Sequence, residues 1–109
     1  MPILVLKFGG SSMADVNRIH RVADLVVQRR AEGYDVVAVV SAMGKTTDQL
    51  SELARQVTAV PSTRELDMLL SVGERTTTAL LAMALQSKGQ DAVGKSFILE
   101  NKIWFWWNL

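Results

Sequence analysis

The chain has 109 residues, 49% of them hydrophobic and 21% charged, which predicts one globular domain at most. Its net charge of +1 gives no field for nucleic acid, a membrane or an acidic partner, so we expect none of these. The lack of cysteine excludes disulfides and thiolate chemistry, and the single histidine, His20, has no partner at metal-ligand spacing. No secretory signal or membrane-length apolar run occurs, and we expect a soluble cytoplasmic protein.

The chain opens on a strand, a glycine turn and a helix. Residues 3–8 are apolar on both faces, which predicts a central strand covered on both sides. Gly9 and Gly10 end this strand. A helical pattern follows over about residues 15–32, and Gly33 stands where a helix C′ residue belongs. The residues predicted to share the apolar face of this helix are Val16, Ile19, Val22, Ala23 and Val26.

A second buried strand is predicted at residues 36–40, which are apolar and mostly β-branched. Strand, helix and strand together predict a right-handed βαβ unit with parallel strands. Ligands of such sheets bind beyond the carboxyl ends of the strands. Residues 7–10 and 41–44 both form glycine-containing turns at that edge, which favours a ligand site there.

Two further helices are predicted in the second half. Residues 45–48 offer N-cap side chains, and apolar residues at helical spacing continue to about Thr58. Ser62 and Glu65 form a capping box that opens a long helix, which Gly89 closes.

Gly73 interrupts the long helical pattern and has two interpretations. It either divides the stretch into two helices, or marks a close approach of backbone and ligand. The sequence leaves both open.

The turn after the first strand suits a phosphate. The following helix start offers unpaired N–H groups and the positive end of the helix dipole, and glycines let the backbone approach an anion. Lys7 adds a positive charge with three donors. Many such turns hold no ligand, however, and residues 7–12 match neither G-x-x-x-x-G-K-[ST] nor G-x-G-x-x-G. The turn by itself leaves both interpretations open.

Three blocks of sequence together resemble the aspartate kinases, which belong to the amino acid kinase superfamily. The blocks are residues 7–12 (KFGGSS), 39–48 (VVSAMGKTTD) and 64–75 (RELDMLLSVGER). The resemblance runs from residue 3 to about residue 93. Glutamate 5-kinase and uridylate kinase share the fold but do not usually carry all three blocks.

The resemblance implies a fold and a reaction. The fold is α/β: a partial, truncated three-layer α/β/α sandwich with mainly parallel strands. The reaction is transfer of a phosphoryl group from ATP to the side-chain carboxylate of L-aspartate, giving 4-phospho-L-aspartate. It is the first step to lysine, threonine, methionine and isoleucine. ATP with Mg²⁺ is the implied co-substrate, with no other cofactor, and the family is typically oligomeric.

The resemblance also assigns roles to individual residues. Lys7 contacts the transferring phosphoryl group and is the implied catalytic residue. Thr47 holds the carboxylate of aspartate, and Glu74 holds its ammonium group. No protein residue is implied as a metal ligand. The residues implied for the ATP site are Lys7, Phe8, Gly9, Gly10 and Ser41.

Each of these side chains also has a purely structural interpretation. Glu74 could form a surface ion pair with Arg64 or Arg75, which would be worth little energetically. Thr47 could act only as a helix N-cap, and Ser41 could simply end a strand.

The sequence changes character near residue 95. We expect residues 1–95 to be the N-terminal part of an amino acid kinase domain and residues 96–109 to be an atypical aromatic tail, with all three tryptophans within residues 104–107. A frameshift or early stop would produce this change. The second half of the family's domain, with a catalytic aspartate and the adenine pocket, has no counterpart here. Two functions therefore stay open: an aspartate kinase by descent, or an inactive fragment or interaction module.

Overall fold

The computed structural model describes residues 2–94 and 105–106. No helix within these residues has the length and apolarity needed to cross a membrane. The elements, in chain order, are β1 (Ile3–Phe8), α1 (Val16–Ala31), β2 (Asp35–Val40), α2 (Thr46–Val57), α3 (Thr63–Ser87) and β3 (Phe105–Trp106).

The sheet of the described residues has the order β1-β2-β3. β1 and β2 are parallel, in a register that runs from Ile3 opposite Asp35 to Phe8 opposite Val40. The predicted parallel βαβ unit and the α/β fold are therefore confirmed. β3 adds antiparallel to the other side of β2, with the backbone of Trp106 opposite Val37.

β1 does not occupy the central position that its apolar sequence predicts. It pairs only with β2 in the part of the chain that the structure describes, so it lies at the sheet edge. Its residues alternate between half-buried and exposed, and Ile3 and Val5 are 69% and 56% exposed. An apolar run predicts burial on two faces only when the chain supplies material for both. We call the unpaired side of this strand, together with Ile3, Val5 and Lys7, the β1 edge.

The core lies between the sheet and two helices, α1 and α3. Alternate residues of β2 point into it, as expected for a strand with a period of two, and α1 and α3 contribute residues at helical spacing. Within the described residues, the helices in this core cover one face of the sheet. Val16, predicted to share the buried face of α1, is instead 59% exposed in the first turn. The fully buried side chains of largest volume are Met13, Leu81, Leu85, Val26, Val36 and Thr77.

The predicted helix ends are largely confirmed. The Asp15 carboxylate accepts a hydrogen bond from the Arg18 N–H at 2.8 Å and so caps α1, while Gly33 follows its end with φ +100°. Ser62 caps α3 by accepting from the Glu65 N–H at 3.4 Å. The caps fix where the turns begin and therefore which backbone groups reach the sheet edge.

The predicted aromatic tail at residues 96–109 lies outside the described residues, except for the backbone of Phe105–Trp106. The boundary at residue 95 stays a prediction.

Candidate functional site

The turn after β1 is tight and closed by its own backbone. The Ser12 N–H donates to the Gly9 carbonyl at 3.1 Å, and the Met13 N–H donates to the Gly10 carbonyl at 3.2 Å. Met13 is fully buried and so anchors the end of the turn in the core. Arg18 on α1 donates from its guanidinium to the Ser11 carbonyl and ties the turn to the helix. The spacing of Arg18 from Ser11 gives no recognisable signal in the sequence, and this support was not predicted.

Lys7 and Phe8 point in opposite directions at the end of β1. Phe8 is half-buried and packs against the core, whereas Lys7 is exposed on the other face of the strand. Within the described residues, no ion pair or hydrogen bond engages the Lys7 ammonium. A compact cation of this kind is available to an anionic ligand at the carboxyl edge of the sheet.

The turn after β2 packs directly on the first turn. The Gly44 N–H donates to the Gly10 carbonyl at 3.4 Å. A Cβ at Gly10 would lie 3.5 Å from the Ala42 carbonyl oxygen, and Gly44 has φ +45°, in the left-handed region. Ser41, half-buried at the end of β2, begins this turn. The two turns predicted to share an edge are therefore in backbone contact.

Helix α3 meets the second turn at Gly73. A Cβ on Gly73 would lie 3.0 Å from the Ala42 Cβ and 3.1 Å from the Thr46 Cγ2. Gly10 and Gly44 join the two turns, and Gly73 joins α3 to the second turn. We call this set of contacts the glycine junction. Gly73 does not divide the helix, because α3 runs unbroken from Thr63 to Ser87. The close approach that it permits is to the protein's own second turn.

Thr47 lies in the first turn of α2 and is exposed. The N-cap of α2 is Lys45, whose side chain makes no capping hydrogen bond, so the interpretation of Thr47 as an N-cap is wrong. The Thr46 N–H donates to the Met43 carbonyl at 2.9 Å and the Gln49 N–H to the Lys45 carbonyl at 3.0 Å. The N-terminal end of α2, with Thr47 in its first turn, thus directly follows the second turn, and a carboxylate is favoured at such a helix end.

Glu74 follows Gly73 on α3 and is half-buried. Burial removes water from its carboxylate and raises the pKa of Glu74 above its ordinary value of 4.5. Among the described residues no ion pair joins Glu74 to Arg64 or Arg75, so the predicted alternative of a surface ion pair is not formed. A partly desolvated carboxylate that pairs with no cation of the described residues is suited to accept a ligand's ammonium group.

An open cleft of about 380 Å³ lies beside the first turn. Phe8 and two residues of α1 line its apolar side, and the turn hydroxyls and two arginines line its polar side. The cleft lies between β1 and α1, so it adjoins the candidate phosphate turn. Its lining residues are Phe8, Ser11, Ser12, Arg18, Arg21, Val22 and Leu25.

The site residues fall into two groups. The two turns carry Gly9, Gly10 and Ser41, and the glycine junction links them to the first turn of α2, which carries Thr47, and to the middle of α3, which carries Glu74. Lys7 stands apart: no hydrogen bond or ion pair of the described chain joins it to Thr47 or Glu74. In residues 2–94 and 105–106, no group of three histidine or acidic side chains lies close enough together to hold a metal ion. His20 is exposed on α1.

Comparison with known proteins identifies the family behind this geometry. One end of the parallel βαβ unit carries a glycine turn with a lysine, a second glycine turn and a half-buried glutamate. The model of the "Amino acid kinase family" matches residues 2–102. The chain therefore belongs to the amino acid kinase family.

Individual relatives carry the name aspartokinase. The chain is 55% identical over 93 residues to the aspartokinase of Bacillus sp. (strain MGA3), and 56% identical over 92 residues to that of Mycolicibacterium smegmatis. These matches cover 85% and 84% of this chain but 23% and 22% of those relatives. The crystal structure of aspartate kinase from Synechocystis matches with a TM-score of 0.84 at 47% identity, covering 86% of this chain and 16% of that one.

Two conclusions follow from these similarities. The predicted resemblance to aspartate kinases is confirmed. The chain spans less than a quarter of the length of the relatives that it matches.

Proposed function

We propose that this chain carries the phosphoryl- and aspartate-binding part of an aspartate kinase. In the proposed reaction, a side-chain carboxylate oxygen of L-aspartate attacks the γ-phosphorus of ATP, the bond to the β-phosphate oxygen breaks, and ADP leaves. The product is 4-phospho-L-aspartate, the first intermediate on the way to lysine, threonine, methionine and isoleucine. The observation that carries this proposal is the glycine junction, which brings both turns and α3 to one end of the sheet.

The first turn would hold the phosphates of ATP. Phosphoryl transfer depends mainly on positioning the groups and on neutralising charge on the phosphoryl oxygens. Gly9 and Gly10 let backbone N–H groups approach an anion, and Lys7 adds a mobile positive charge. Its exposure favours this role, because no protein carboxylate of the described chain has to release it. Phe8 supports the turn from the core side, and Ser41 would contact the nucleotide from the second turn.

The first turn of α2 and the middle of α3 would hold the aspartate. The Thr47 hydroxyl and the first turn of α2 would donate to a carboxylate, since both provide hydrogen-bond donors with a favourable dipole. Glu74 would accept the substrate ammonium. Its carboxylate is partly desolvated, so a cation is worth more there than at the surface. Thr47 and Glu74 would thus bind the carboxylate and the ammonium group of the same amino acid.

Magnesium would accompany the nucleotide. The described residues hold no three-carboxylate cluster, and Mg²⁺ usually binds one or two carboxylates together with substrate phosphates. We therefore propose that Mg²⁺ arrives with ATP rather than in a protein cage. When bound, it would neutralise phosphate charge.

A hydroxamate assay with ATP and L-aspartate tests the proposed activity directly. We expect product formation that needs both substrates and is lost in Lys7→Ala. Lys88→Ala is the matched control. It removes the same charge from a lysine that follows the C-terminal end of α3 and forms an ion pair with Asp24. Equal activity of the two variants would contradict the role of Lys7. No turnover by the purified chain would contradict the activity of this chain by itself.

A second function, an inactive fragment or interaction module that retains part of the site, is favoured by the β1 edge. Ile3 and Val5 expose apolar surface, and the chain spans less than a quarter of its relatives. Catalysis also needs the whole constellation of positioned groups. Aspartate binding without turnover would favour the fragment. A pull-down that depends on residues 96–109 would favour the interaction module.

A further inference from the structure

Helix α3 touches the second turn at its one glycine. A Cβ on Gly73 would stand 3.0 Å from the Ala42 Cβ, 3.1 Å from the Thr46 Cγ2 and 3.6 Å from the Leu50 Cδ1. Carbon atoms pack most favourably at about 3.5–4.0 Å. Two of these three contacts are shorter than that, so a side chain here requires the helix, the turn or the Thr46 side chain to shift by a few tenths of an ångström.

Backbone conformation does not account for a glycine at this position. Gly33, Gly44 and Gly89 have positive φ, but Gly73 is helical and does not. Within a helix, alanine is intrinsically more favourable than glycine. The space between α3 and the second turn is therefore the physical reason for glycine here.

The residues of this contact are sequence neighbours of three residues of the candidate site. Gly73 precedes Glu74, Thr46 precedes Thr47, and Ala42 follows Ser41. Inside the helix, the Thr77 hydroxyl donates to the Gly73 carbonyl at 3.2 Å, and α3 is continuous through this point. Because Glu74 follows Gly73 on this helix and Thr47 follows Thr46, a displacement of α3 relative to Thr46 would change the spacing between Glu74 and Thr47.

Because of this arrangement, we propose that Gly73 is a positioning residue that sets the spacing between Thr47 and Glu74 and thereby the fit of the bound amino acid. The inference rests on the proposed function for its ligand, L-aspartate. Gly73 touches no substrate in this account. It acts through the closeness of α3 to the second turn.

Gly73→Ala, with a relieved background as control, tests this inference. The background is Ala42→Gly with Thr46→Ser, which removes the two carbons nearest to an added Cβ and keeps the Thr46 hydroxyl. In the unaltered chain we expect Gly73→Ala to lower the urea midpoint. In the relieved background we expect the same change to raise it, because only helix propensity then acts.

Calorimetric titration with L-aspartate gives the functional outcome. A displacement of about 1 Å can reduce the efficiency of a positioned group by a factor of about 100, and the shift required here is a few tenths of an ångström. We therefore expect Gly73→Ala to weaken L-aspartate binding about two- to tenfold, and much less in the relieved background. A ¹³C NMR titration of the Glu74 carboxyl without ligand should show its midpoint falling towards 4.5 in Gly73→Ala, as the carboxylate becomes more hydrated.

The outcomes separate the inference from the proposed function. Unchanged L-aspartate affinity in Gly73→Ala would overturn the inference and leave the proposed function standing. Equal loss of affinity in both backgrounds would also overturn it, because the added methyl would not act through Ala42 and Thr46. Failure of the unaltered chain to bind L-aspartate would contradict the proposed function, and the inference would fall with it.

Discussion

The glycine junction and the β1 edge are the two ends of the candidate site, and they differ in how the chain supports them. At the junction, backbone meets backbone, with the Gly44 N–H 3.4 Å from the Gly10 carbonyl, and α3 approaches as closely as a glycine permits. At the β1 edge, Ile3 and Val5 are more than half exposed and Lys7 is free of protein partners among the described residues.

This difference separates the two proposed binding functions. The aspartate side, at Thr47 and Glu74, is held by contacts that the chain supplies to itself. The phosphate side depends on Lys7, whose strand has no neighbour beyond β2 on that side in the described residues. We therefore expect aspartate binding to be less dependent on further protein than nucleotide binding.

Truncation of a core residue should have the largest effect. Leu81 is fully buried on α3, and Leu81→Ala should reduce the free energy of unfolding by about 2–5 kcal/mol, because it removes apolar contacts and leaves a cavity. Val5→Ala, at the β1 edge, is the control and should change it by less than about 0.5 kcal/mol. Urea denaturation measures both. A comparable cost for Val5→Ala would mean that the β1 edge is covered in solution.

Removal of the Lys7 charge should affect binding but not stability. A hydrogen bond to a charged group is worth about 1.5–3 kcal/mol, so Lys7→Ala should weaken ATP binding by about one to two orders of magnitude. The melting temperature should stay unchanged, since the side chain is exposed and unpaired within the described chain. Lys88→Ala should leave the ATP affinity as it is. A fall in melting temperature for Lys7→Ala alone would show that Lys7 has a structural role.

Loss of the α1 cap should destabilise the helix that follows the first turn. Asp15→Ala removes the hydrogen bond from the Arg18 N–H and should cost about 1 kcal/mol of unfolding free energy. Asp15→Asn keeps an acceptor oxygen and should retain most of it. The matched variant Ser62→Ala, where the cap hydrogen bond is longer at 3.4 Å, should cost less. The opposite order of the two costs would argue against these cap geometries.

The pH dependence of Glu74 should give the smallest effect. Because burial raises its pKa, the folded state binds a proton more readily than the unfolded state. The contribution of Glu74 to stability is therefore most favourable below pH 4.5 and declines as the pH rises through the raised pKa. Glu74→Gln should remove this decline in urea midpoints measured between pH 4 and 7. Identical pH profiles for the two proteins would contradict the desolvation of Glu74.

Local sequence patterns were sufficient to predict most elements. The glycines after helices and the Ser62 cap depend on neighbours within a few residues, and so these helix ends follow from the sequence. The edge position of β1 among the described residues does not follow from the sequence, because an apolar strand has the same sequence whether or not a neighbour is present. The pattern at residues 3–8 therefore led to a wrong prediction.

The candidate site was only partly predictable for a similar reason. The two glycine turns share an edge through the parallel topology, which the βαβ pattern predicts. The role of Gly73 depends on its distance from Ala42 and Thr46, which precede it by 31 and 27 residues in sequence, and no local pattern contains it. The partial desolvation of Glu74 likewise depends on tertiary burial, which the residues around it in sequence do not reveal.

Titration of the purified chain with L-aspartate tests the central claim, that the glycine junction holds an aspartate-binding pair, most directly. Calorimetry should show saturable binding to the unaltered chain and to Glu52→Gln, which removes an exposed carboxylate of α2. Binding should be at least about tenfold weaker in Glu74→Gln, since a desolvated charge pair contributes about 1.5–3 kcal/mol. Equal affinity in all three proteins, or no saturable binding to any of them, would contradict the account.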